Sequence, residues 1–131
     1  MTNHKPTFAD TGERNVLKLA QRLQDYFSPK IIGEVNDVYI KVAKMKGEDT
    51  PWHTHDDEDE LFYVLKGKLR MFLESQEPFD MNEGEFFIVQ RGVKHRVSSD
   101  QDCWTILIEN KTTKHLGNVK APHAKSIEDQ F

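Results

Sequence analysis

The amino-acid sequence predicts an all-β domain, a sandwich or barrel, preceded by one helix. Three observations carry this reading. Past Ser28-Pro29 the chain falls into short apolar and β-branched runs. These runs are separated by turn signals at Asn36-Asp37, Gly47 with Pro51, Lys66-Gly67, Pro78, Asn82-Glu83-Gly84 and Arg91-Gly92. No helical pattern alternates with them, which removes the classes built on βαβ units.

The first nine residues read as a lead-in. Asp10 and Glu13, three apart, form a capping pair at a helix start. Val16, Leu19, Ala20, Leu23 and Phe27 then share one helical face. Ser28-Pro29 ends that helix, because the residue before a proline is pushed out of the α region. This first unit spans 1–29. Ile31, Ile32 and Val35 form one strand-like run, and Val38, Tyr39, Ile40 and Val42 a second across a polar turn. A strand over 60–65 follows. The stretch 68–74 sets Leu69, Met71 and Leu73 against Arg70, Phe72 and Glu74, the period of a half-buried strand. A short segment at 79–81, an apolar run at 85–89 and a last clear strand at 104–109 complete a barrel unit of 30–110. The tail, 111–131, is polar and carries little pattern.

Composition narrows the function classes. The 131 residues suit one core, with 37% hydrophobic and 31% charged residues. A net charge of −4 argues against a nucleic-acid partner, whose footprint is usually basic. No apolar run approaches the roughly 20 residues that span a bilayer, so no membrane partner is expected. Met1 to Asp10 lacks the apolar core of a secretory signal. The single cysteine, Cys103, forms no internal disulfide and fits a reducing, cytoplasmic compartment.

The chemistry-bearing residues sit where strands meet turns. His53 and His55, two apart, project from one face of an extended segment. Glu60 follows at the next strand's start, and His95 lies beside a glycine turn. Neutral imidazoles and a carboxylate are ligands for divalent transition metals: zinc, iron, manganese or nickel. On chemistry alone, Glu58 or Asp59 serves as well as Glu60.

In combination the residues are more specific. Gly47 to Gly67, containing His53-Thr-His55 and Glu60, resembles the first cupin motif, G(x)5HxH(x)3–4E(x)6G, at every defined position. Gly84 to His95 resembles the second, G(x)5PxG(x)2H. Gln90 stands where the motif has proline, and Ser99 where asparagine is usual. The resemblance covers 30–110, and the small single-domain cupins it is most like are often labelled mannose-6-phosphate isomerase-like. It implies a double-stranded β-helix, or jelly-roll barrel, after the helix. It also implies metal ligands at His53, His55, Glu60 and His95, which favours Glu60 over its acidic neighbours. Glu60, Phe62 and Val64 then face the barrel interior. Gly47, Gly67, Gly84 and Gly92 mark turns needing positive φ.

The resulting expectation is a mononuclear metal-binding protein acting on a small molecule, dioxygenase-like or isomerase-like. The alternative is a non-catalytic sugar or small-acid binding or sensor module using the same pocket. Arg70 is the candidate inward cation if its face is the barrel face, with the surface as the competing placement. Tyr39, Tyr63 and Arg70 are candidate acid–base or binding groups. Trp52 is assigned to the pocket mouth, the core or an interface. Phe62, Phe72, Phe86 and Phe87 are core residues, Cys103 is a small buried hydrophobe, and His4 and His123 are surface residues, while His115 is placed either in solvent or at the pocket mouth of its own or a partner chain. Apolar sheet faces and the helix point to a homodimer.

Overall fold

The structure, a computed structural model, describes residues 12–48, 50–117, 119 and 124–131. Helix α1 spans Val16–Gln21 and is capped by Asn15, whose side chain accepts from the Lys18 N–H at 2.9 Å. Glu13 acts one step earlier, accepting from the N–H groups of Arg14 and Asn15. Asp10, His4 and His123 lie outside the described residues. The helix is shorter than its periodicity predicts. Tyr26 instead forms a parallel bridge with Lys44, and Phe27 N–H donates to the Lys44 carbonyl at 2.8 Å. Phe27 takes φ +51° and enters the main core, while Ala20 and Leu23 pack with Val42, Ile32 and Trp104. One apparent helical face is therefore divided between two cores.

Strand β1 (Lys30–Val35) turns at Asn36-Asp37 into β2 (Val38–Gly47). Asn36 supplies φ +51°, a conformation asparagine tolerates well. Strands β3 (Glu60–Lys66), β4 (Leu69–Leu73), β5 (Phe79–Met81) and β6 (Phe86–Val89) follow. Strand β7 runs from His95 to Asn110, nine residues earlier in its start than the apolar run at 104–109 predicts. The extra length, Arg96-Val-Ser-Ser-Asp-Gln-Asp102, is polar and alternates poorly, so it hides a strand.

The seven named strands pair antiparallel in the order β1-β2-β7-β3-β6, with β4 pairing β5 and β7. β7 serves both halves of the barrel. His95 to Ser98 pair with β4, while Trp104 to Glu109 lie between β2 and β3. The change falls at a register shift between Met45 and Gly47, where Ser99 Oγ donates to the Lys68 and Gln101 carbonyls. Inward residues alternate as the pleat requires: Ala43 and Met45, Phe62 and Val64, Leu69 and Met71, Cys103 and Leu107. Burial pushes the Cys103 thiol up to about 12, which keeps it inert.

The C-terminal segment is more than a polar tail. Thr113 and Leu116 are buried. Gly117, at φ +58°, passes so close to Thr54 that a Cβ would overlap its carbonyl. Helix α2 (Ile127–Gln130), capped by Ser126, buries Gln130, and the Phe131 ring meets Tyr39 edge-on at 5.9 Å.

Gly67 and Gly84 separate two effects of an added methyl group. Both have positive φ, +94° and +84°. A Cβ at Gly67 would sit 2.6 Å from the Asp102 carbonyl oxygen, whereas at Gly84 it meets nothing within 4 Å. Gly84→Ala is expected to lower stability by about 1 kcal/mol, and Gly67→Ala by clearly more, in urea unfolding. Equal losses would show that φ alone matters at both turns.

Candidate metal centre

His53 and His95 are joined through their backbones before their side chains meet. They form an isolated antiparallel bridge, with N–H to carbonyl distances of 3.0 and 2.9 Å in the two directions. This pairing brings residues 42 positions apart onto one face, with ring centroids 4.4 Å apart. His55 follows two residues after His53, its carbonyl held by the Gly92 N–H at 2.9 Å, and its ring stands 5.0 Å from that of His53. Glu60 opens β3 and points inward. One ligand atom from each of His53, His55, Glu60 and His95 lies within 4.8 Å of the others.

The rings are oriented for coordination. His53 Nδ1–H donates to the Pro51 carbonyl at 2.9 Å, and His95 Nδ1–H to the Val93 carbonyl at 3.0 Å. These bonds, each two residues back along the chain, assign the tautomer that leaves Nε2 with its lone pair. His95 Nε2 and His55 Nε2 lie 3.3 and 3.5 Å from Glu60 Oε1. Both ring nitrogens of His55 are buried without a hydrogen-bond partner, among the described residues. An ion there would take up one of these unpaired nitrogens, so the donor set fits a divalent transition metal.

The electrostatics favour the same states. Burial, with His95 nearby, holds His53 down to about 4, so its ring is neutral near pH 7. Burial would raise Glu60, but the His55 and His95 rings beside it outweigh burial and hold the carboxyl well below its usual range. Burial and the neighbouring Glu60 charge instead raise Glu109, against the opposing pull of Lys41.

The other acidic candidates have structural partners. Glu58 accepts from the Thr112 hydroxyl at 2.8 Å. Asp59 accepts from the Arg91 N–H at 2.8 Å and from its guanidinium. Gln90, in the motif's proline position, is exposed and its carbonyl closes the turn onto Val93 N–H.

A small cavity of about 30 Å3 adjoins His53, Glu60 and His95. Its walls are chiefly apolar, with Phe27, Met45, Phe62, Leu107 and Leu116 among them. His115 also lines it, so of its two expected placements the pocket replaces solvent. Burial of Leu116 draws the tail inward, and His115 Nδ1 accepts from Lys125 N–H at 2.9 Å. Arg70 is not an inward cation: the inner side of β4 is taken by Leu69, Met71 and Leu73, and Arg70 pairs with Asp80 outside at 3.0 Å. Tyr63 shares a cross-strand row with exposed Phe86 on the outer face. Trp52 lies outside the cavity, edge-on to Phe72 and beneath the Arg96 guanidinium. Phe86 is 62% exposed, so it is not core.

The inward cation is Lys41, which is fully buried beside Glu109. Neither had been singled out in the sequence. The signal was parity, since Lys41 lies two residues from inward Tyr39 and Ala43, and Glu109 two from inward Leu107.

An antiparallel β-barrel with three imidazoles and one carboxylate converging at a cavity defines a small jelly-roll protein whose site could hold a metal. The chain belongs to the cupin family, and the cupin domain model matches residues 42–108. YdbB of Bacillus subtilis is 31% identical over 98 residues, covering 75% of this chain and 86% of that protein. The crystal structure of a cupin-2 domain containing protein from Shewanella frigidimarina is 30% identical, with a TM-score of 0.72, covering 78% of this chain and 98% of the other. A protein from Neisseria meningitidis is 25% identical, with a TM-score of 0.67, covering 76% and 99% respectively.

The geometry singles out one carboxylate. Glu60→Gln is expected to weaken cobalt(II) or zinc binding about 10-fold or more, with Glu58→Gln near wild type, in chelator competition. Equal losses would mean that Glu60 is not the ligand.

Proposed function

We propose that His53, His55, Glu60 and His95 bind one divalent transition metal, and that this cupin is a metal-dependent enzyme acting on a small molecule. The observation that carries the reading is the convergence of these four groups beside an apolar-walled cavity, with two rings fixed by backbone carbonyls. Zinc, iron, manganese and nickel all accept this donor set. Such a metal supplies Lewis acidity or, as iron, redox chemistry, consistent with isomerase-like or dioxygenase-like reactions.

The chain's own residues contribute the rest. The Pro51 and Val93 carbonyls fix the His53 and His95 rings, limiting reorganisation when a ligand arrives. Phe62, Met45 and Leu107 restrict water and present an apolar surface to a substrate body. His115, held through Nδ1 by the Lys125 N–H, is a titratable side chain of the cavity wall outside the metal set and the proposed proton carrier.

Untagged protein is expected to carry about one transition metal per chain by elemental analysis, and chelation should lower its melting temperature. A folded protein that takes up no added zinc, manganese, nickel or iron would overturn the metal reading. A screen of small carbonyl acids, thiols, catechols and sugar phosphates, following product and oxygen uptake, tests catalysis. Turnover lost in His95→Ala with the barrel intact supports an enzyme. Tight binding without conversion in metal-loaded protein assigns the pocket to a binding or sensor module.

We also propose a homodimer. Two apolar rows cross the outer face of β6, β3 and β7: Phe86–Tyr63–Ile106 and Ile88–Leu61–Ile108. Phe86 and Ile88 are 62% and 44% exposed, and a second copy would cover both rows. Light scattering should give twice the monomer mass, and Phe86→Lys should shift it toward the monomer. A wild-type monomer at every accessible concentration refutes the dimer. The lone buried thiol of Cys103 supports a cytoplasmic setting.

A further inference from the structure

We propose that Lys41 and Glu109 act as a positioning pair that holds Glu60 in its ligand geometry and so sets how tightly the centre takes a metal. The inference rests on the metal-centre reading and extends it to two residues outside the four ligands.

Three neighbouring strands present the row. Glu60 on β3 and Glu109 on β7 are direct register partners, and both side chains are buried on the inner face. Lys41 on β2 pairs with Leu107, one inward step along β7 from Glu109. Its Nζ lies 2.7 Å from Glu109 Oε1, and the two side chains are 1% and 3% exposed. Glu109 Oε2 meets no N–H or O–H donor among the described residues. The inner face thus runs from the imidazoles through Glu60 and Glu109 to the Lys41 ammonium.

Glu60 and Glu109 are buried side by side, and the Lys41 ammonium anchors Glu109 from its other side. Glu109, fixed by Lys41, then limits where the Glu60 carboxylate can lie. Packing alone does not call for this pair, since apolar residues of similar volume replace buried ion pairs with little or no loss of stability. Its contact with a candidate ligand supplies the missing reason.

The test uses the full chain loaded with cobalt(II), comparing wild type with Glu109→Gln, Lys41→Met and the double variant Lys41→Met/Glu109→Leu. The readouts are cobalt affinity by chelator competition, the visible cobalt absorption spectrum, and the melting temperature. Glu109→Gln is expected to lose about 10–100-fold in affinity and to alter the cobalt spectrum, which reports ligand geometry. Lys41→Met should melt markedly lower, because it leaves Glu109 buried and unpaired. The double variant should regain most of that melting temperature while keeping the weakened affinity and altered spectrum. A purely structural pair would recover both together. Wild-type affinity and spectrum in Glu109→Gln would overturn the proposal, and that variant alone decides it if the others fail to fold. Wild-type protein that takes up no cobalt overturns the metal-centre reading itself, a result separate from equal loading of wild type and variant.

Discussion

Glu60 is an ionised group taken out of water, and much of the barrel's interior is arranged around that fact. An isolated buried carboxylate is costly by many kcal/mol, so it must be paired, hydrogen-bonded or neutralised. Two imidazoles approach it, at 3.3 and 3.5 Å, and a second carboxylate with its own lysine stands behind it. The His53 and His95 rings are in turn fixed by backbone carbonyls. Removing one member of such a set leaves the others desolvated and unpaired, which for a buried ion pair costs about 3–5 kcal/mol. Rigidity in this region therefore arises from polar contacts, and the apolar core around Val64, Met71 and Leu73 serves to hold the strands that deliver them.

The barrel was legible because it rests on short-range rules, and the grouping of His53, His55, Glu60 and His95 because the stretches that carry them resemble cupin motifs. Alternation at Leu69, Met71 and Leu73 gives β4 its inner face, and Asn36-Asp37 and Lys66-Gly67 fall at turns. Residue chemistry left Glu58 and Asp59 open beside Glu60, and the motif resemblance chose among them. What escaped rests on long-range pairing. Tyr26 and Phe27 leave the helix because Lys44 offers a strand edge. The first half of β7 has no apolar alternation, yet β4 pairs with it residue by residue. Leu116 and Thr113 are buried by a segment whose composition looks solvent-exposed.

Lys41 and Glu109 illustrate the same limit on the side of chemistry. A lysine in the middle of a strand normally faces water, and propensity offers no reason to turn it inward. Parity along β2 places it inside beside Ala43 and Met45, but parity is informative only once the neighbouring strands are known. Arg70 shows the converse, since its alternation with Leu69 and Met71 places it outside with Asp80. The role of a charge in this fold is set by which side of the pleat it occupies, more than by residue type.

The pairing of β2 with β7 also bears on how the chain reaches its native state. Val38 faces Asn110 and Met45 faces Cys103, so the central ladder joins segments separated by more than half of the barrel's sequence. Loop closure over such distances is slow, and folding rates fall as native contacts become less local. Until β7 arrives, β2 has β1 on one edge and an open edge on the other, while the inner side chains of β3 lack their cover. A chain in which β7 has not yet paired would therefore expose apolar strands with free edges, the feature that makes partly folded β domains prone to aggregate. Recovery of this chain from denaturant should accordingly depend on protein concentration, because self-association competes with closure of the β2–β7 ladder.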